Sequence, residues 1–141
     1  MSNVALKLQL ITQELVVLEE DAYSVTLPGA EGELTVLPGH VNLFTKIKPG
    51  VVQVKPSHEG DPKVVVVGGG FADISAVSVK ILADTAVRAE EIDEAQAELA
   101  KQAAEEAMKE KKSEQDYVMA EASLRRAMLE LDTVKKWKKL R

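Results

Sequence analysis

Apolar and polar residues alternate with a period of two in the first half of this chain and recur every three to four residues in the second. Leu6, Leu8 and Leu10 alternate with Lys7 and Gln9, and Tyr23, Val25 and Leu27 alternate with Ser24 and Thr26, the repeat of half-buried strands. Leu15–Leu18 forms a short apolar run between them. Further strands are expected around Leu34–Leu37, Leu43–Ile47, Val51–Val54, Val64–Val67, Phe71–Ala76 and Val77–Ile81. Pro28-Gly29, Pro38-Gly39 and Pro49-Gly50 predict turns that close the strands before them. Strands this short, with turns this frequent, predict an antiparallel β-sandwich or flattened barrel. Gly68-Gly69-Gly70 is followed by neither the lysine nor the helix of a phosphate-binding loop, and predicts a close approach of backbones or a bulge.

The last proline is Pro62 and the last glycine Gly70, and from about Ala86 the chain becomes Ala, Glu, Lys, Leu and Met at helical spacing. The expected organisation is a mainly β unit over residues 1–85 and a two-helix antiparallel hairpin over 86–141. Glu90, Glu91, Asp93 and Glu94 favour the positive end of a helix dipole, and that helix is expected to reach Lys111 or Lys112. Ser113 then serves as N-cap, with Asp116 in the capping-box position, for a second helix running toward Leu140. Ile92, Leu99, Ala103 and Ala107 are assigned to the inner face of the first helix. Tyr117, Ala120, Leu124, Ala127, Leu131 and Val134 form the stripe of the second. Alanine favours helix but buries little area, so each helix is locally stable while the contact between them is shallow. That composition suits a permanently docked hairpin or one that opens into a rod of about 70 Å, at about 1.5 Å per residue.

Composition narrows the function. The 141 residues contain no cysteine and carry a net charge of −5, which excludes a disulfide framework or thiol nucleophile and disfavours general nucleic-acid binding. No secretory leader and no membrane-length apolar run is recognisable. The end of the chain is locally basic, with Arg125, Arg126, Lys135, Lys136, Lys138, Lys139 and Arg141 against Glu130 and Asp132, and Trp137 lies within the cluster. Such a surface suits a partner that is acidic and partly apolar. His40 and His58 are the two histidines; both fall in expected loops without the spacing of a metal site or an orienting partner for base catalysis. No nucleophile elbow, P-loop or zinc-protease motif occurs, so no catalytic residue, metal or cofactor is assigned.

The segment Pro-Gly-Ala-Glu-Gly-Glu-Leu-Thr-Val-Leu-Pro-Gly-His from Pro28 to His40, with Val-Asn-Leu-Phe-Thr-Lys-Ile after it, resembles the signature of the F-type ATP synthase epsilon subunits. Lys48-Pro49-Gly50, Gly69-Gly70-Phe71, Leu82-Ala83-Asp84-Thr85-Ala86 and the acidic stretch Glu90–Glu94 resemble that family in the same order. The resemblance implies a non-catalytic rotor subunit whose sandwich packs on the gamma subunit and touches the c-ring. Its hairpin would rise to meet the alpha and beta subunits and restrain ATP hydrolysis. It implies that Glu31, Glu33 and His40 face the c-ring, and that Arg125, Arg126, Lys135, Lys136, Lys138 and Lys139 face an acidic segment of the catalytic head. It also implies a peripheral location on the cytoplasmic face of the membrane, or on the stromal face of the thylakoid for a plastid protein.

Some bacterial members of that family bind ATP through Ile-Asp-x-x-Arg-Ala, and the matching stretch here is Ile92-Asp93-Glu94-Ala95-Gln96-Ala97. Gln96 replaces the arginine and brings no positive charge to a phosphate. Arg126 matches a basic position in the second helix of those members, while Met119 and Glu130 stand where others carry arginine. Nucleotide binding through Ile92, Asp93, Ala97 and Arg126 is therefore expected to be weak or absent. An ATP sensor of the same fold, or a sandwich adaptor for an unrelated acidic protein, are the alternatives.

Overall fold

The computed structural model describes residues 5–110 and 113–139. Lys111, Lys112, Leu140 and Arg141 lie outside the described residues, as does the side chain of Lys139. The chain divides into two compact units, Met1–Arg88 and Ala89–Arg141.

The first unit is a β-sandwich made from one eight-stranded sheet: β1 (Leu6–Ile11), β2 (Val16–Ala22), β3 (Ser24–Gly29), β4 (Gly32–Val36), β5 (Leu43–Lys55), β6 (Lys63–Ile74), β7 (Ser78–Ala83) and β8 (Ala86–Arg88). The spatial order is β2-β1-β7-β6-β5-β3-β4, with β8 beside the first part of β6. All neighbours run antiparallel except β1 and β7, which are parallel. The period-two alternation sets the core: Leu6, Leu8 and Leu10 of β1, Val79 and Ile81 of β7, and Ala72 and Ile74 of β6 all point into one buried cluster with Val25, Leu27, Val52 and Val54.

Three features differ from expectation. Pro49-Gly50 does not end a strand: β5 runs through it, because Ile47 pairs with Gly70 on one side of it and Pro49 with Gly68 on the other. The segment Phe71–Ala76 is not a separate strand either; its residues up to Ile74 are the second half of β6. Finally, Ala86–Arg88 extends the sheet past the expected boundary at residue 85, pairing with Val65–Val67.

The three glycines expected to mark a close approach sit where β6 exchanges β8 for β7 as its neighbour. Gly70 has φ +143°, and a Cβ there would overlap the carbonyl oxygen of Leu82. Arg88 ties the two margins of the sheet together: its guanidinium donates from Nε (3.1 Å) and from a terminal nitrogen to the carbonyl of Val17 on β2.

The second unit opens with a 3-10 turn at Ala89–Glu91, followed by α1 (Glu94–Glu110) and α2 (Glu114–Lys139). Asp93 is the N-cap of α1, its Oδ1 accepting from the Gln96 amide at 3.1 Å. Ser113 caps α2, its Oγ accepting from the Asp116 amide at 3.0 Å. Both match the local logic of helix starts. On α2 the expected stripe faces inward: Ala120, Ala127, Leu131 and Val134 are buried, and Tyr117 and Leu124 half-buried. On α1 the expected face is wrong. Leu99 is 61% exposed, and Ala103 and Ala107 are exposed as well. The inner row is Ala97, Lys101, Ala104 and Met108, the two alanines fully buried. Close approach of two helices selects small side chains over the larger apolar one, and Lys101, in the same row, is half-buried.

Two substitutions test this frame. Arg88→Ala removes a charged donor from a half-buried carbonyl and is expected to cost about 1–3 kcal/mol, seen as a lower urea midpoint at unchanged slope. Gly70→Ala is expected to destabilise by at least as much, since neither the backbone angle nor the Leu82 carbonyl accommodates a methyl group.

Candidate interaction surfaces

Glu31, Glu33 and His40 come from two neighbouring connections. Glu31 lies in the β3–β4 turn and Glu33 on β4, both exposed, and the Ala30 amide just before them donates to the carbonyl of Lys46 on β5. His40 sits in the loop that delivers Leu43 to β5, its Nδ1–H donating to the carbonyl of Val41 at 2.6 Å. The Gly39 amide pins that loop to Ala76 in the β6–β7 turn at 2.8 Å. Leu43 and Lys46 are roughly 10 Å apart along the strand, so both connections occupy one end of the sandwich. No hydrogen bond or ion pair among the described residues joins His40 to either glutamate. Val41, Val77 and Leu37 are exposed beside them, which makes this end a mixture of apolar tips and carboxylates.

A second surface lies outside the residues expected to make contacts. On the outer side of the sheet the register aligns Lys46, Phe71, Leu82, Ile11 and Val16 across five strands. Phe44, 68% exposed, stacks on Phe71 with ring centroids 5.8 Å apart. Phe71, Leu82 and Val16 are each about half exposed, and Leu15 adjoins them. At about 4.8 Å per strand the row spans roughly 20 Å. A continuous exposed apolar stripe of this kind marks a contact with another molecule. Its sequence signal is faint: Ile11, Leu82 and Phe71 sit next to inward-facing residues, and only the cross-strand register brings them together.

On the hairpin, Arg125, Arg126 and Lys138 are already engaged. Arg125 pairs with Glu121 at 3.1 Å and Arg126 with Glu130 at 3.4 Å, each one turn away on α2. Lys138 Nζ reaches Glu94 Oε2 at 2.8 Å. That last pair joins the end of α2 to the start of α1, so Lys138 and its neighbours sit at the base of the hairpin beside acidic residues, while Arg125 and Arg126 lie farther along α2. The hydrogen bond from Lys138 is the main cause that holds the Glu94 carboxyl below its usual value, followed by the charge of Lys138; desolvation opposes them, and the charge of Lys135 adds the smallest lowering effect. A depressed carboxyl stabilises above its unfolded value, so the pair is intact at neutral pH and is lost as the pH falls through the lowered value. Lys135 and Lys136 are exposed.

The residues matched to a nucleotide motif do not form one constellation. Asp93 spends its carboxylate on the α1 cap, Ala97 is buried in the helix interface and Ile92 is half-buried. Arg126 lies roughly 18 Å along α2 from Lys138, and hence from the start of α1, at about 1.5 Å per residue, and it is paired with Glu130. The cations next to Glu94 are Lys135 and Lys138 instead. No group of three or more His, Asp or Glu among the described residues is arranged to hold a metal, and none of the helices described is long and apolar enough to cross a membrane.

Comparison with known proteins accounts for both units. The model of the ATP synthase delta/epsilon chain β-sandwich domain matches residues 5–89, and that of the long α-helix domain of the same chain matches residues 90–135. An ATP synthase epsilon chain from Herminiimonas arsenicoxydans is 38% identical over 136 residues, covering 96% of this chain and 97% of that one. Epsilon chain 2 from Ralstonia nicotianae is 42% identical over 137 residues, covering 94% and 98%. Among solved structures, a chain of the Euglena gracilis mitochondrial ATP synthase OSCP/F1/c-ring assembly superposes with a TM-score of 0.76 at 26% identity, covering 99% of this chain and 84% of that one. With both units matched in order and nearly the full length shared, the chain belongs to the ATP synthase delta/epsilon chain family.

Proposed function

We propose that this chain is a rotor-stalk epsilon subunit of an F-type ATP synthase, anchored through its β-sandwich and regulating ATP hydrolysis through its helical hairpin. The observation that carries this is that both units, in order, have counterparts in epsilon chains over nearly their whole length. The exposed stripe through Phe71, Leu82, Ile11 and Val16 suits a stable docking face for the gamma subunit, because it presents apolar area on a rigid sheet. The end carrying Glu31, Glu33 and His40 suits contact with the c-ring. The basic end of α2 suits the acidic segment of the catalytic beta subunits, with charge complementarity setting orientation and encounter rate. In this role the chain does no chemistry of its own and is held at the membrane through the complex, on its cytoplasmic or, in a plastid, stromal side.

Within this reading nucleotide is not the regulator. Gln96 replaces an arginine, Arg126 is remote and paired, and Asp93 is committed to its cap. Titration of the free chain with ATP in a calorimeter is expected to show no saturable binding with a Kd below about 1 mM; tight binding would favour the ATP-sensor alternative.

The main test adds the full chain, or a version ending at Arg88, to an ATP synthase core stripped of its epsilon subunit. The core cluster lies entirely within the first unit and Arg88 is retained, so the shorter chain keeps its own fold. Both are expected to bind, with hydrolysis falling only for the full chain. Failure of both to bind would overturn the rotor role, and Phe71→Glu, placed in the stripe, is expected to weaken binding of either version at least tenfold.

A further inference from the structure

The basic end of α2 needs no outside partner in the resting hairpin, because the chain supplies a carboxylate of its own. Lys138 meets Glu94 across the seam at 2.8 Å, and Lys135 adds its field to the same carboxyl. Both members of the pair remain partly solvated, with side-chain exposures of 61% and 45%, so the contact is a modest one that salt screens and competition reaches. It adds charge to a seam whose buried part is Ala97, Ala104, Ala120, Ala127, Leu131 and Val134. Glu94 is thus a stand-in for an external carboxylate, bound at the place where one would bind.

We infer that Glu94 is an internal competitor: an acidic protein segment engages Lys135 and Lys138 only by displacing it, which couples partner binding to release of the base of the hairpin. The existence of such a partner rests on the rotor reading above, whereas the competition is a property of the chain alone. Two features make the coupling directional. Glu94 begins α1 and is seated by the Asp93 cap, so it is delivered to Lys138 only while the helices lie side by side. Lys138 lies in the last turn of α2 next to Trp137, which is half-buried in the closed unit and is the single tryptophan of the chain, a native reporter of that base.

The test uses the full chain, free in low-salt buffer, with a labelled polyglutamate peptide as the acidic probe. Glu94→Gln is expected to tighten binding about two- to fivefold, the range an exposed ion pair commands, and to shift Trp137 emission to the red. Lys138→Gln is expected to weaken binding. Glu98→Gln removes the same charge from an exposed site on α1 that carries no ion pair among the described residues, and is expected to change affinity by much less. Circular dichroism checks that each variant keeps its helices. Equal tightening by Glu98→Gln and Glu94→Gln would reduce the effect to net charge and overturn the proposal, as would an unchanged affinity or no probe binding for Glu94→Gln. A clear Glu94 effect in a chain that fails to associate with the ATP synthase core would leave the internal competition standing and overturn the rotor reading.

Discussion

The β unit depends on one strand serving three neighbours. β6 pairs with β5 along nearly its whole length, with β8 over Val65–Val67 and with β7 from Gly70 onward. The change of partner requires the backbone to pass against the Leu82 carbonyl, which only a residue without Cβ allows. Once β6 turns there, β7 is placed to receive β1, the core residues of β1 to β7 converge, and the opposite parity of each strand is forced outward. The apolar stripe is the outward expression of the same register that fills the core. Arg88 then acts at the margin, where β2 would otherwise present an unpaired carbonyl beside the short β8.

The helical unit follows a different rule. Its helices hold themselves through propensity and two side-chain caps, and hold each other through small side chains. Ala97 and Ala104 of α1 and Ala120 and Ala127 of α2 are buried in the seam and bring two backbones close, with Leu131 and Val134 as its larger buried side chains. Charge adds to this packing at the base, where Glu94 meets Lys138.

Features governed by neighbours along the chain are legible in the sequence itself. The strand alternations, the Ser113 cap, the α2 stripe and the glycine approach in β6 all depend on local spacing or on the absence of a side chain. Features set by distant partners are not. Leu99 marks the wrong face of α1 because a large apolar residue normally wins a buried position, whereas a tight seam takes alanine. Pro49-Gly50 reads as a stop because nothing local reveals that β6 pairs with β5 on both sides of it. The stripe through Ile11, Leu82 and Phe71 needs three registers at once. Arg126 reads as available for a phosphate, yet α2 is long enough to carry it away from the first turn of α1.

The parallel pairing of β1 with β7 has a consequence for how the molecule is made. Lys7 meets Ser78 and Ile11 meets Leu82, contacts about seventy residues apart in a chain whose other sheet pairings include several tight hairpins. Chains dominated by such remote contacts close slowly, because the loop must be gathered before any bond rewards it. On a ribosome the first strand emerges early, finds β2 beside it, and then waits with its other edge unpaired until β7 is released. The hairpin, by contrast, needs only its own residues and forms as fast as helices do. The two units therefore mature on separate clocks, and the interval during which β1 stands open is when a newly made chain is most exposed to mispairing.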